Sequence, residues 1–315
     1  MLPPDPNQRK ISLLGPQPEY ESLRGALNRM GLNGRLALIT AGWEEAEGED
    51  EKIVHAIPNE IINLRLFRRT EFLFAQDPLV IQLLQKRQDV LRHMRDVYRM
   101  RVSYFMRATN KILAASRELV DFQPELDSSL NMLRQLDREY FLRTCQVCDD
   151  YDAEIDFDHR PSVVSQREEL YEILGSVSAI LIAGGHSAII MNRLKIFAIL
   201  EARPDLPIIA WSGGAMALAS QMVFFHDRLP QGDSNPEILR SGAGIIGRVL
   251  PFPDPANRLR LDDTLRMSVL AKRFSDSSCV LLDSSDWVER RDGKWNASNE
   301  TRQLATNGRT EAFCA

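Results

Sequence analysis

Between Leu206 and Phe225 the chain runs for twenty residues without a charge. A run of that length either crosses a membrane or lies inside a protein core. Pro207, Gly213 and Gly214 favour the core. The proline removes a backbone donor, and adjacent glycines interrupt a helix in mid-course. The segment therefore predicts a buried strand over Leu206–Trp211, a sharp turn at Ser212-Gly213-Gly214, and a buried helix from Ala215 to Gln221. A strand apolar on both faces belongs to a mostly parallel sheet covered by helices on both sides.

The flanking sequence repeats this rhythm. Ile11–Leu14 reads as a strand ended by Gly15-Pro16, and Glu19–Met30 as a helix. Arg35–Thr40 and Ile61–Phe67 read as strands. So does Val177–Ala183, which ends in Gly184-Gly185 and leads into a helix over Ser187–Glu201. A helix near Asp262–Phe274, a strand at Cys279–Leu282 and a hairpin around Asp292-Gly293 complete the pattern. The expected class is α/β, with a doubly wound, mostly parallel sheet.

One stretch interrupts it. From Asp77 to about Val120 there is no glycine, and proline occurs only at Pro78, where a helix would start. Val80, Leu84, Leu91, Met94, Tyr98, Phe105 and Ile112 recur at helical spacing. Phe122-Gln123-Pro124 breaks the run. A second helix carries Leu126, Leu130, Leu133, Leu136 and Tyr140 on one side. Two long helices joined by a short break predict an antiparallel hairpin. The expected division is a core domain of 1–69 and 159–315, with a helical insertion at 70–158. The hairpin's apolar stripe is expected to pack on the core or on a second subunit, which makes a homo-oligomer one outcome.

The chain of 315 residues has 44% hydrophobic and 26% charged residues, which excludes disordered and collagen-like classes. A net charge of −5 argues against nucleic acid as a partner. Four cysteines make no disulfide framework. The first ten residues lack an apolar signal-peptide core, so no membrane association and a cytoplasmic location are expected.

Chemistry concentrates at Ile208-Ile209-Ala210-Trp211-Ser212-Gly213-Gly214-Ala215. An apolar strand, a serine, two glycines and a small-residue helix make the shape of a nucleophile elbow, although Ala210 replaces the first glycine of G-x-S-x-G. The alternative is a serine that merely caps the helix. A second loop, Ala183-Gly184-Gly185-His186-Ser187, also joins a strand to a helix. In a parallel sheet such loops gather at the carboxyl ends of the strands, where ligands bind. A glycine amide from this loop, paired with that of Gly213, would hold an oxyanion.

Together the two loops resemble the serine peptidase family that includes dipeptidase E and cyanophycinase. The carrying residues are Gly184-Gly185-His186 and Ala210-Trp211-Ser212-Gly213-Gly214, with a further likeness over Cys279–Trp295. The resemblance covers about 10–67 and 176–300 but not the insertion. It implies a class I glutamine amidotransferase-like fold and a peptide-like substrate, aspartyl-containing ones included, with no cofactor or metal. A glutamine amidotransferase itself would carry cysteine where Ser212 stands. Carried over by position, Ser212 would be the nucleophile, and the amides of Gly185 and Gly213 the oxyanion hole. Asp227, shortly after the elbow helix, would be the triad acid. The histidine, expected after Gly242-Ala243-Gly244-Ile245-Ile246, falls at Asp254.

A serine hydroxyl needs an adjacent base. Three candidates stand open: His186 at the rim of the expected pocket, His226 beside Asp227, and Asp254 itself. A fourth outcome is an impaired triad, with pocket and hairpin kept for binding. His55, His93 and His159 stand in no motif. Cys145-x-x-Cys148 lacks further zinc ligands nearby, and the acidic run Asp149–Asp158 lacks the glycine and terminal glutamate of a calcium loop. Arg92, Arg95 and Arg99 share one helical face and read as a solvated stripe, with an acidic partner as the alternative.

Overall fold

A computed structural model of the chain describes residues 8–115, 122–227 and 234–314. Its strands are β1 (Ile11–Leu14), β2 (Leu36–Ile39), β3 (Ile61–Asn63), β4 (Ala179–Ile182), β5 (Ile208–Trp211), β6 (Gln221–Phe224), β7 (Glu237–Ser241), β8 (Val249–Pro253), β9 (Ser278–Leu282), β10 (Trp287–Arg291), β11 (Lys294–Ala297), β12 (Arg302–Leu304) and β13 (Thr310–Ala312). The helices are α1 (Glu21–Met30), α2 (Glu51–Ala56), α3 (Leu66–Gln76), α4 (Pro78–Ala115), α5 (Gln123–Ile155), α6 (Pro161–Gly175), α7 (Ser187–Ile196), α8 (Ile199–Ala202), α9 (Gly213–Ala217), α10 (Pro255–Arg258) and α11 (Thr264–Arg273). A 3-10 segment occupies Ala41–Gly48.

The central sheet has the order β11-β10-β1-β5-β4-β2-β3. The five strands from β1 to β3 run parallel, and the β10–β11 hairpin is antiparallel at one edge. Side-chain alternation explains the layers. Ile11, Ala37, Ile180 and Ile208 face one core, while Leu14, Leu36, Leu181 and Ile209 face a second. Both faces are apolar, so both must be covered. Leu23 and Leu27 of α1 and Ile53 of α2 close the second core, and Leu170 of α6 and Ile190 of α7 join the first. This is the α/β class with a mostly parallel sheet and a long helical insertion.

The hairpin α4–α5 packs on the core, and Tyr98, Val102, Leu130 and Leu133 join the same buried cluster as the sheet. A polar bolt fixes the arrangement. Arg273 of α11 donates to both oxygens of Asp137, from Nε to Oδ2 and from Nη2 to Oδ1, each at 2.6 Å. The Tyr98 hydroxyl donates to Asp137 Oδ1 at 2.7 Å and accepts from the Ile238 N–H at 3.1 Å. The ring of Tyr98 stacks on that of Tyr140, with centroids 3.9 Å apart. Both arms of the hairpin are thus tied to β7 and α11.

Several boundaries differ from the sequence expectation. The strand at Ile61 stops at Asn63, because Arg65 turns left-handed (φ 53°) and α3 begins at Leu66. The helix from Ser187 breaks at Ala198 (φ 48°) into α7 and α8. The elbow helix ends at Ala217, and Gln221 opens strand β6 instead of closing a helix. Pro124 sits in the first turn of α5, where its missing N–H costs nothing. The expected continuation of the first long helix to about Val120 lies in 116–121, outside the described residues. No helix among the described residues is long and apolar enough to cross a membrane.

Candidate active site

The elbow forms where β5 meets α9. Ser212 has φ 50° and ψ −122°, a backbone conformation that L-residues rarely adopt. Its carbonyl accepts the first helical bond, from the Met216 N–H at 3.1 Å. Its side chain makes no capping bond. The hydroxyl is therefore not spent on the helix, and Ser212 lines a cavity instead. That separates the elbow from the capping alternative.

Close backbone approach explains the glycines. A Cβ on Gly213 would lie 2.2 Å from the Gly185 carbonyl oxygen, and one on Gly214 would lie 2.5 Å from that of Ile182. A Cβ on Gly184 would stand 2.8 Å from Ser212 Cβ. Gly185, at φ 104°, would meet the Gly42 carbonyl oxygen at 2.2 Å. The two loops singled out in the sequence are thus in contact, and a third, at Gly42, braces them. The sequence reading missed Gly42. Gly213 opens α9, so its N–H has no acceptor within that helix.

The cavity has a volume of about 790 Å³. Ser212, Gly185, Gly213, His186 and Asp254 all line it, so the topology brings these five predicted residues together. His226 and Asp227 do not line it. Asp227 is 1% exposed and binds Arg266 Nη2 at 2.6 Å and the Arg260 N–H at 3.1 Å. Its carboxylate is already engaged by a cation on α11. His226 Nδ1 is buried without a hydrogen-bond partner among the described residues.

His186 caps α7, and its Nδ1 accepts from the Ile189 N–H at 3.4 Å. This contact engages Nδ1 with α7 and leaves Nε2 as the ring nitrogen not used by the cap. Asp254 follows β8 at φ 59°, and its N–H donates to the Leu282 carbonyl. Its Oδ1 accepts from Asn257 at 2.8 Å, and Oδ2 lies 3.9 Å from Arg258 Nε.

The hairpin roofs the cavity. Arg92 and Arg95 of α4 and Tyr140 of α5 line it, as do Arg240 of β7 and Arg258 of α10. The solvated-face expectation holds for Arg92, which is exposed, while Arg95 is half-buried; both also line the cavity. Arg99 pairs with Glu237 at 2.8 Å. Burial pushes the Tyr140 hydroxyl up to about 12, so it is a neutral donor at physiological pH. Arg240 and Arg258 were missed, since neither stands in a motif.

The other candidates lie away from the cavity. Cys145 and Cys148 are free thiols on α5, and Asp152 of the acidic run pairs with Arg87 and Lys195. Among the described residues no three histidine, cysteine or acidic side chains form a metal-binding group.

No family model and no curated protein matches the chain. Among solved structures it is similar to a peptidase from an acI-B1 Actinobacterium, with 13% identity, TM-score 0.45 and 97% of each chain covered. It is also similar to the "Putative Peptidase E Protein" of Listeria monocytogenes EGD-e, with 9% identity and TM-score 0.38, covering 92% of this chain and 98% of that one.

Proposed function

We propose that this chain is a serine-type hydrolase that attacks an acyl carbonyl, of an amide or peptide bond, with the Ser212 hydroxyl. The observation that carries this reading is the strained, uncapped Ser212 on the cavity wall. A non-glycine residue at such φ/ψ costs about 1–3 kcal/mol, and strain of that kind clusters at active sites. Glu44 shares the conformation but does not line the cavity, so it is strain together with cavity placement that supports this reading. A helix cap demands no such conformation. On attack the carbonyl oxygen becomes an oxyanion, and the amides of Gly213 and Gly185 are the donors this reading assigns to it. The Ser212 proton must pass to a base. This reading assigns that role to Asp254 on the cavity wall, through a bridging water. Asp254 then returns the proton to the leaving amine as the carbonyl–nitrogen bond breaks, and a second water hydrolyses the acyl ester on Ser212.

A second reading has an observation of its own. The Asp227 carboxylate is held by Arg266, and Nδ1 of His186 is held by α7. With no Ser–His–Asp chain assembled, the site would bind its ligand and turn it over slowly or not at all. Hydrolysis of an activated ester, p-nitrophenyl acetate, tests both. The hydrolase reading expects a rate above buffer that falls to background in Ser212→Ala. An equal rate in wild type and Ser212→Ala leaves only the binding reading.

A further inference from the structure

Among the described residues the cavity wall carries four guanidinium groups, those of Arg92, Arg95, Arg240 and Arg258, and one carboxylate, that of Asp254. The protein as a whole carries −5. Even with Asp89 paired to Arg92, guanidinium groups outnumber carboxylates on this wall of an acidic protein, which composition alone does not explain. Two of the four come from the hairpin and two from the α/β core, so the site is complete only with the hairpin docked.

Arg240 is the most informative. It is only 9% exposed, and desolvation weighs against its charged form. Its Nη1 donates to Asn192, while Nε is buried without a partner. Arg95 on the facing hairpin also has a buried Nε without a partner. A buried guanidinium with a donor left unsatisfied is costly, and an anion held beside the group offsets the desolvation of its charge. Arg92 pairs with Asp89 among the described residues, and the pair is exposed on both sides and therefore weak. Arg258 stands 3.9 Å from Asp254, a loose pair that a stronger anion displaces.

We infer that the Ser212 cavity takes a small polyanion, with at least two carboxylate or phosphate groups, and that Arg92 and Arg95 on the hairpin are its specificity residues. One anionic group sits at Arg240 and the other beneath the hairpin arginines. This deepens the hydrolase reading and rests on it for one point only, the place of the reacting acyl group at Ser212.

Calorimetric titration of the full chain at low ionic strength tests the inference. Citrate stands for the carboxylate source and tripolyphosphate for the phosphate source, with acetate as the single-charge control. One-to-one binding of citrate or tripolyphosphate, with no measurable acetate binding, is expected. The better ligand identifies the source. Arg95→Gln and Arg240→Gln should each weaken binding tenfold or more, and added salt should weaken it further. Arg95→Gln lies on a surface helix, so it remains readable if Arg240→Gln unfolds. Absence of binding by both polyanions, or undiminished binding to folded Arg95→Gln, overturns the inference. A neutral fluorophosphonate read in parallel keeps the two readings apart. Labelling of Ser212 without polyanion binding sinks this inference and leaves the hydrolase. Polyanion binding without labelling leaves this site and sinks the hydrolase.

Discussion

Ser212 and the glycines around it make opposite demands on the backbone. Ser212 holds a left-handed conformation despite its Cβ, whereas Gly185 and Gly213 hold positions where a Cβ would meet carbonyl oxygen at 2.2 Å. Ser212→Gly should therefore stabilise the fold by about 1 kcal/mol through relief of strain, while abolishing any reaction at this position. Urea melts of the two proteins check this, and a loss of stability in Ser212→Gly would mean that the side chain has a structural task. Gly185→Ala should destabilise by about 2 kcal/mol or more, since both φ and space oppose it. At this scale the sequence was informative where chemistry and sterics coincide, as at Ser212-Gly213-Gly214. It was uninformative where a residue's role comes from a distant partner. Nothing local marks Gly42 as the brace of Gly185, or Asp227 as the partner of Arg266.

Among the elements, the hairpin depends on one buried group. Asp137 accepts from Arg273 and Tyr98 in a buried interface between α4, α5 and α11. Removing one member of a buried ion pair leaves an uncompensated charge and typically costs about 3–5 kcal/mol. Asp137→Ala should lower stability by that order in denaturant melts, and an effect under about 1 kcal/mol would show that the bolt is unimportant. Helical periodicity was enough to find both long helices and their antiparallel pairing. Their docking direction was not legible, because the stripe of Tyr98, Val102, Leu130 and Leu133 fits any apolar surface. For the same reason the cavity beside Arg92 and Arg95 was not legible. Which side of a helix faces a cavity is decided by Asp137 and Arg273, 136 residues apart in sequence.

For the whole molecule, buried carboxyls set the pH dependence of stability. Burial raises the carboxyl pKa of Glu47, Glu237, Asp283 and Asp286 above the ordinary range. Raised folded-state values mean that the folded chain binds protons more readily than the unfolded one. That stabilising contribution is full below the ordinary carboxyl range and is lost as pH rises through the elevated values. The opposite shifts, at Asp158 and Asp205 beside arginines, lie at the surface and are screened. Thermal melts should therefore show higher stability at about pH 5 than at about pH 8, with a shallower slope in Glu237→Gln. A stability that rises across that interval would contradict this. Thiol accessibility provides a second check. Cys314 is exposed, whereas Cys148 and Cys279 are buried, and burial pushes the Cys279 thiol up to about 12. In the native state Cys314 should react quickly with a thiol reagent, and Cys148 and Cys279 only on unfolding.

The proposed reaction depends on a hydroxyl that is presented to the cavity and open to attack on an electrophile. Intact-mass and peptide-mapping spectra after treatment with a neutral fluorophosphonate read this directly. One adduct per chain, mapped to Ser212 and missing from Ser212→Ala, is the predicted result. An unmodified Ser212 in the folded protein, or an equal adduct in Ser212→Ala, would contradict the assignment of the nucleophile.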